Sequence, residues 1–135
     1  MGIAAAIRGV ASTVAGQPIE LPRATLARYP ELGGVHWRSG GLPPRVGGWC
    51  LGRSSVAAIT LWRTVWLARP MDVSEELLLH EFRHVAQFEA DWTFAVRYLW
   101  ESARRGYYRN KYEVDAREYA AARVRGAPRS LASDR

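Results

Sequence analysis

Residues 77–87 read LLLHEFRHVAQ. His80 and His84 stand four apart, and Glu81 directly follows the first. On a helix, positions four apart share one face, about 40° from each other. Both imidazoles then reach one ion. Glu81 lies about 100° around from His80 and meets a water on that ion without ligating it. HExxH on a helix is the zinc-hydrolase arrangement, with the glutamate as general base. The setting is apolar. Leu77 and Phe88 share the site face with the motif, and Leu78, Leu79, Phe82 and Val85 occupy the other. Only Glu76, Arg83 and Gln87 form a polar stripe. Such a helix is expected to be mostly buried. Ionisable groups in that position need a partner or a metal. The bland alternative is a pair of core histidines bonded to carbonyls or carboxylates.

A catalytic zinc commonly takes three protein ligands and leaves one position open. The third is sought in NKYEVDAREYAAARVRG, residues 110–126. At 100° per residue, Ala116, Arg117, Ala120, Ala121 and Val124 fall on the side of Glu113, whereas Asp115, Glu118, Ala122 and Arg125 fall on the far side. Ala116 and Ala120 are small enough for close approach to the HExxH helix. Glu113 is therefore the expected third ligand, and Asp115 is expected in solvent. Transition-state charge needs a donor as well. Arg117, on the Glu113 face, and Tyr107, Tyr108 or Tyr112 are the candidates.

These residues need a scaffold. The first part, to about Ser55, is broken by QPIELPR, YPELGG and SGGLPPRVGG. Short strands are expected near Val35–Arg38 and Val46–Gly52. In SVAAITLWRTVWLARP, β-branched and aromatic residues favour an edge strand or hairpin over 56–70. The chain then turns helical. The HExxH helix begins at Asp72 or Ser74, with Glu75 and Glu76 at the positive end of its dipole, and runs to about Ala90. A second helix spans about Trp92–Arg105 and ends at Gly106. A third spans about Tyr112–Arg125, with Asn110 as a candidate cap and Gly126 and Pro128 as its stop. Strands followed by helices predict an α+β domain: a small antiparallel or mixed sheet, then about three helices. Residues 1–135 suit a single domain, with 127–135 a frayed tail.

Composition narrows the function. Hydrophobic residues make up 48% of the chain, which argues against disorder. The formal charge is +6, and of 19 basic residues only Lys111 is lysine. The arginines are scattered, so a solvated surface is favoured over a nucleic-acid patch. Cys50 is the single cysteine. It excludes an internal disulfide and a cysteine-rich structural zinc site, and reads as a small buried side chain. No apolar run approaches the roughly 20 residues of a membrane span. MGIAAAIRGVASTVAG is a poor signal peptide. A cytoplasmic location is expected. His36, beside Trp37, reads as a strand or loop histidine. Trp92, Phe94, Tyr98 and Trp100 sit at helical spacings and are expected to pack the core.

Over roughly residues 55–123, through AITLWRTVWLA, LLLHEFRHVAQ and RRGYYRNKYEVDA, the sequence resembles the gluzincin metallopeptidases. It looks most like the small single-domain HExxH proteins of bacteria. The resemblance implies a zincin-like fold with HExxH on the first long helix and the third ligand on a later one. It implies one Zn2+ held by His80, His84 and Glu113, with Glu81 catalytic. It also implies an edge strand before the HExxH helix, placed at Ile59–Leu67, to which a peptide or protein substrate adds in extended form. Gluzincins commonly carry an acid four residues after the glutamate ligand, where it supports a ligand histidine. Arg117 stands there instead and leaves that support unassigned.

The leading expectation is a zinc-dependent metallopeptidase. A metal-binding protein of this fold with weak or no turnover is the second. A basic nucleic-acid-binding domain with an incidental HExxH is the third.

Overall fold

In a computed structural model of the chain, which describes residues 10, 13–41, 43 and 57–127, four short strands form one mixed sheet. They are β1 (Gln17–Pro18), β2 (His36–Ser39), β3 (Ala58–Leu61) and β4 (Thr64–Leu67), in the spatial order β1-β2-β4-β3. β2 runs parallel to β4, with Trp37 opposite Val65. The two outer strands are antiparallel to their neighbours. Alternation along each strand turns Trp37, Val65 and Leu67 inward, all nearly inaccessible to solvent. They join Tyr29, Leu32, Val35, Leu78, Leu79, Val85 and Ala120 in one core.

The AITLWRTVWLA stretch is a hairpin, and only its first strand lies at the sheet edge. β4 is interior, between β2 and β3. This corrects the expectation of an edge strand running from Ile59 to Leu67. The chain reverses at Trp62 and Arg63, with Trp62 at φ 53°, the left-handed region that costs a side chain about 1 kcal/mol or more. Its indole packs 5.7 Å from the ring of Phe88. The Arg63 carbonyl accepts from the N–H of His36 at 2.8 Å, which registers β4 against β2. The strand expected near Val35–Arg38 is β2. The one expected at Val46–Gly52, and Cys50 with it, lies outside the described residues.

The helices are α1 (Arg23–Arg28), α2 (Glu75–Ala90), α3 (Phe94–Arg105) and α4 (Lys111–Gly126). α2 carries HExxH and starts at Ser74, whose Oγ accepts from the N–H of Leu77 at 3.1 Å. α3 ends at Gly106, at φ 78°. α4 is capped by Asn110, whose Oδ1 accepts from the N–H of Tyr112 at 2.9 Å. Ala116 and Ala120 are fully buried, so α4 packs closely along α2. The architecture is thus α+β, a small mixed sheet with three long helices. No helix among the described residues is long and apolar enough to cross a membrane.

α3 departs from expectation. Trp92 is 91% exposed and Trp100 63%, so neither packs the core. Phe94 and Tyr98 do turn inward as expected, with Phe94 3% exposed, and Glu101 is buried beside them. Helical periodicity reveals an apolar face but not which face meets the body. Here the inner side is the one where Phe94 packs on Phe88 and Tyr98 bonds Glu113.

Candidate metal centre

Burial of Leu78, Leu79 and Val85 against the sheet fixes the rotation of α2. It turns His80 and His84 toward α4, where Glu113 projects from the first turn. His80 Nε2 lies 3.0 Å from Glu113 Oε2, and His84 Nε2 lies 3.1 Å from Glu113 Oε1. The two Nε2 atoms are 3.2 Å apart. Ligand atoms about 2.05 Å from a tetrahedral zinc are separated by about 3.3 Å, so the triangle is close to that size. The three residues are the described group able to hold a metal.

The chemistry of the donors fits a cation. Glu113 is 2% exposed. Its Oε2 is buried without an aligned hydrogen-bond donor, although His80 Nε2 is near. Burial pushes its carboxyl up, but the imidazoles of His80 and His84 and the Tyr98 hydroxyl outweigh this and hold it well below the carboxylate range. His84 is buried too. Burial pulls its imidazole down, yet Glu113 and Glu81 reverse the balance and raise it. Two imidazole nitrogens facing each other and a buried carboxylate need a positive charge among them. A proton or a divalent ion supplies it.

The tautomer of His84 follows from Gln87. Gln87 Nε2 donates to the Tyr112 carbonyl at 3.1 Å and to Asp115 Oδ2 at 2.8 Å. Its Oε1 must then accept, and it lies 2.7 Å from His84 Nδ1. With Nδ1 carrying the proton, Nε2 has a lone pair available to a cation. Asp115 is itself held by Arg83 at 2.7 and 3.3 Å. Asp115 is therefore not a free solvent-facing acid, as the helical angle implied. It is half-exposed and anchors the amide that orients His84. Arg83 reaches it because its stem spans the gap between the two helices, which angle alone does not register.

Sequence reasoning missed three residues. Gln87 is the first, readable as the position three beyond His84 on one helix face. Tyr98 is the second. Its hydroxyl donates to Glu113 Oε1 at 2.6 Å. Burial, then the charge of Glu113, pushes this phenol far above the ordinary range, so it stays protonated as a donor. Thr60 on β3 is the third, with Oγ1 donating to Glu81 Oε2 at 2.7 Å. No local signal marks Tyr98 or Thr60, since tertiary contact alone brings them to the site.

His80 and Glu81 line an open cleft of about 450 Å3, together with Ala58, Leu77, Tyr107 and Arg117. His84 and Glu113 lie behind them. Arg117 donates to the Tyr108 carbonyl at 2.5 Å and stacks 4.5 Å over its ring, so its guanidinium is committed to the cleft wall. Tyr108 is largely exposed there. The Tyr112 ring packs 5.0 Å from that of Phe94 and does not line the cleft. His36 is exposed on β2, outside the ligand group.

The cleft borders the sheet edge. In the hairpin, Ala68 N–H bonds the Ala57 carbonyl, and Ile59 and Leu61 face Trp66 and Thr64. Antiparallel pairing alternates, so the backbone groups of Ala58 and Thr60 point away from β4. Among the described residues no strand pairs with that side. No family model, curated protein or solved structure matches the chain.

Proposed function

We infer that the protein is a zinc-dependent metallopeptidase of zincin-like design. The observation that carries this reading is the convergence of His80, His84 and Glu113 on one point, with Glu81 on the cleft side of it. His80, His84 and Glu113 would hold the ion. A bound zinc supplies a Lewis acid and a water acidic enough to ionise near neutral pH. Glu81 takes the proton of the attacking water and returns it to the leaving amine. Thr60 binds Glu81 Oε2, which leaves Oε1 for that proton. The substrate peptide lies extended along β3, paired with the outward groups of Ala58 and Thr60. Tyr107 and Tyr108 line the same cleft and are the donors available for transition-state charge, since Arg117 is engaged with Tyr108.

A second reading, metal binding with weak turnover, rests on Arg117. Where gluzincins place a supporting acid, this guanidinium is occupied by Tyr108. One pair of measurements separates the readings. Elemental analysis of the purified protein is expected to find about one zinc per chain. Glu81→Gln is expected to keep that zinc and to lose hydrolysis of an unfolded protein substrate by at least about a hundredfold. A zinc-free protein, unchanged in stability by chelators, sinks both readings. Zinc without cleavage in the wild type selects the second.

A further inference from the structure

The outer face of α3 has no partner among the described residues. With Val96 at 0° and 100° per residue, Leu99, Trp100 and Ala103 fall within about 60° of it, and Trp92 stands in the turn just before the helix. Trp92, Val96, Leu99 and Trp100 are 91, 72, 57 and 63% exposed, and Ala103 is exposed as well. Single exposed apolar residues are ordinary, but a contiguous stripe marks an interaction surface. The opposite side is held by the body. Phe94 stacks 4.6 Å from Phe88, Tyr98 bonds Glu113, and Glu101 is buried. The stripe is not required to close the core.

Charge selects the partner. Between Trp92 and Arg109 stand four arginines (Arg97, Arg104, Arg105 and Arg109) and one acid, Glu101. That acid is buried beside Arg105, 3.4 Å away. Arg97 pairs with Asp91 just outside the helix. Arg104 and Arg109 are exposed and make no ion pair among the described residues. Arg104 and Arg97 lie along one edge of the apolar arc, at about 80° and 100°. A second copy meeting this face would bring like charges together. A helix of 12 residues is too short to span a bilayer. An apolar arc with tryptophans, bordered by arginines, suits a helix lying in the plane of an anionic interface.

We propose that the outer face of α3 is a membrane-surface site that docks the protein on anionic phospholipid. Trp92, Val96, Leu99 and Trp100 enter the headgroup boundary, and Arg97, Arg104 and Arg109 meet the phosphates. The site is independent of the chemistry inferred for the cleft. Co-sedimentation of the full chain with vesicles tests it. Binding to phosphatidylcholine containing about one-third phosphatidylglycerol is expected to exceed that to phosphatidylcholine alone by at least about tenfold, and to weaken when salt is raised to about 0.5 M. Tryptophan emission is expected to shift to the blue on the anionic vesicles. Trp92→Ser with Trp100→Ser, and separately Arg104→Glu with Arg109→Glu, should each reduce binding by about tenfold or more at unchanged thermal midpoint. No binding to anionic vesicles at low salt overturns the proposal. So does binding that survives the double tryptophan variant, or self-association that this variant abolishes without lipid.

Discussion

Gln87 ties three parts of the candidate metal centre together, and its removal tests how far that geometry depends on support from behind. Its Oε1 orients His84, and its amide N–H groups are spent on Tyr112 and Asp115. Gln87→Leu keeps the volume but leaves His84 Nδ1–H without an acceptor. Zinc affinity is expected to fall about 10- to 100-fold, read by competition with a chromophoric chelator. An unchanged affinity would show that packing against Tyr98 and Phe94 alone holds the ring. Tyr98→Phe removes the one aligned hydroxyl on the Glu113 carboxylate. It too should weaken zinc, since bonds to charged groups contribute about 1.5–3 kcal/mol. Glu113→Ala is the stronger change, because it removes the ligand itself and two imidazoles lose their counter-charge.

At the scale of elements, β3 offers a backbone test. Ala58 directs its N–H away from β4, so proline there deletes an edge donor without breaking the hairpin ladder. Ala58→Pro is expected to lower kcat/KM for peptide cleavage about tenfold at unchanged zinc content, the equivalent of one lost hydrogen bond. Equal rates would place the peptide elsewhere. A second contact joins the N-terminal part to α2. Tyr29 is fully buried, and its hydroxyl donates to Glu75 Oε2 at 3.0 Å beside the Arg28–Glu75 ion pair. Burial, then the bond to Glu75 and its charge, raises the Tyr29 phenol above its ordinary 10.0. A raised folded-state value contributes stability that is complete below pH 10.0 and lost as pH rises through the folded value. Denaturant midpoints are therefore expected to hold up to that pH and to fall above it. Tyr29→Phe should cost about 1 kcal/mol at neutral pH and flatten the alkaline fall. A fall just as steep in the variant would assign it to other groups.

For the whole molecule, the proposed metal site and the core belong to one structure. Glu113 and His84 are buried between α2 and α4, so an ion there joins the two helices that build most of the helical layer. A ligand that binds only the folded state stabilises it by about 4 kcal/mol at a thousand times its Kd. Chelation should therefore lower the thermal midpoint, and added zinc should restore it. A midpoint indifferent to both would remove the metal from the fold. The arginines serve the structure as well. Arg123 bonds Glu31 at 2.7 Å, drawing the end of α4 to the turn after α1, and Arg83 bonds Asp115 across α2 and α4. Arg28 and Arg63 are paired as well, so several arginines hold elements together through carboxylate partners, while the net charge of +6 stays on the surface.

Local chemistry made part of this protein legible. Ser74, Asn110 and Gly106 bound the long helices where their side chains or glycine freedom require it. HExxH places two imidazoles on one face by periodicity alone, and the same periodicity turns Glu113 rather than Asp115 inward. The α+β order follows because β-branched runs precede helical ones. What tertiary structure decided is everything that depends on a distant partner. Whether TLWRTVWL was one edge strand or a hairpin turned on β2 claiming β4, a contact between residues far apart in the chain. Whether Trp92 and Trp100 were core turned on which side of α3 met the site, where Tyr98 bonds Glu113. Thr60, Gln87 and Asp115 acquired their places only when β3, α2 and α4 closed around one point. A side chain's type and spacing fix what it can bond, but burial and a partner fix what it does bond.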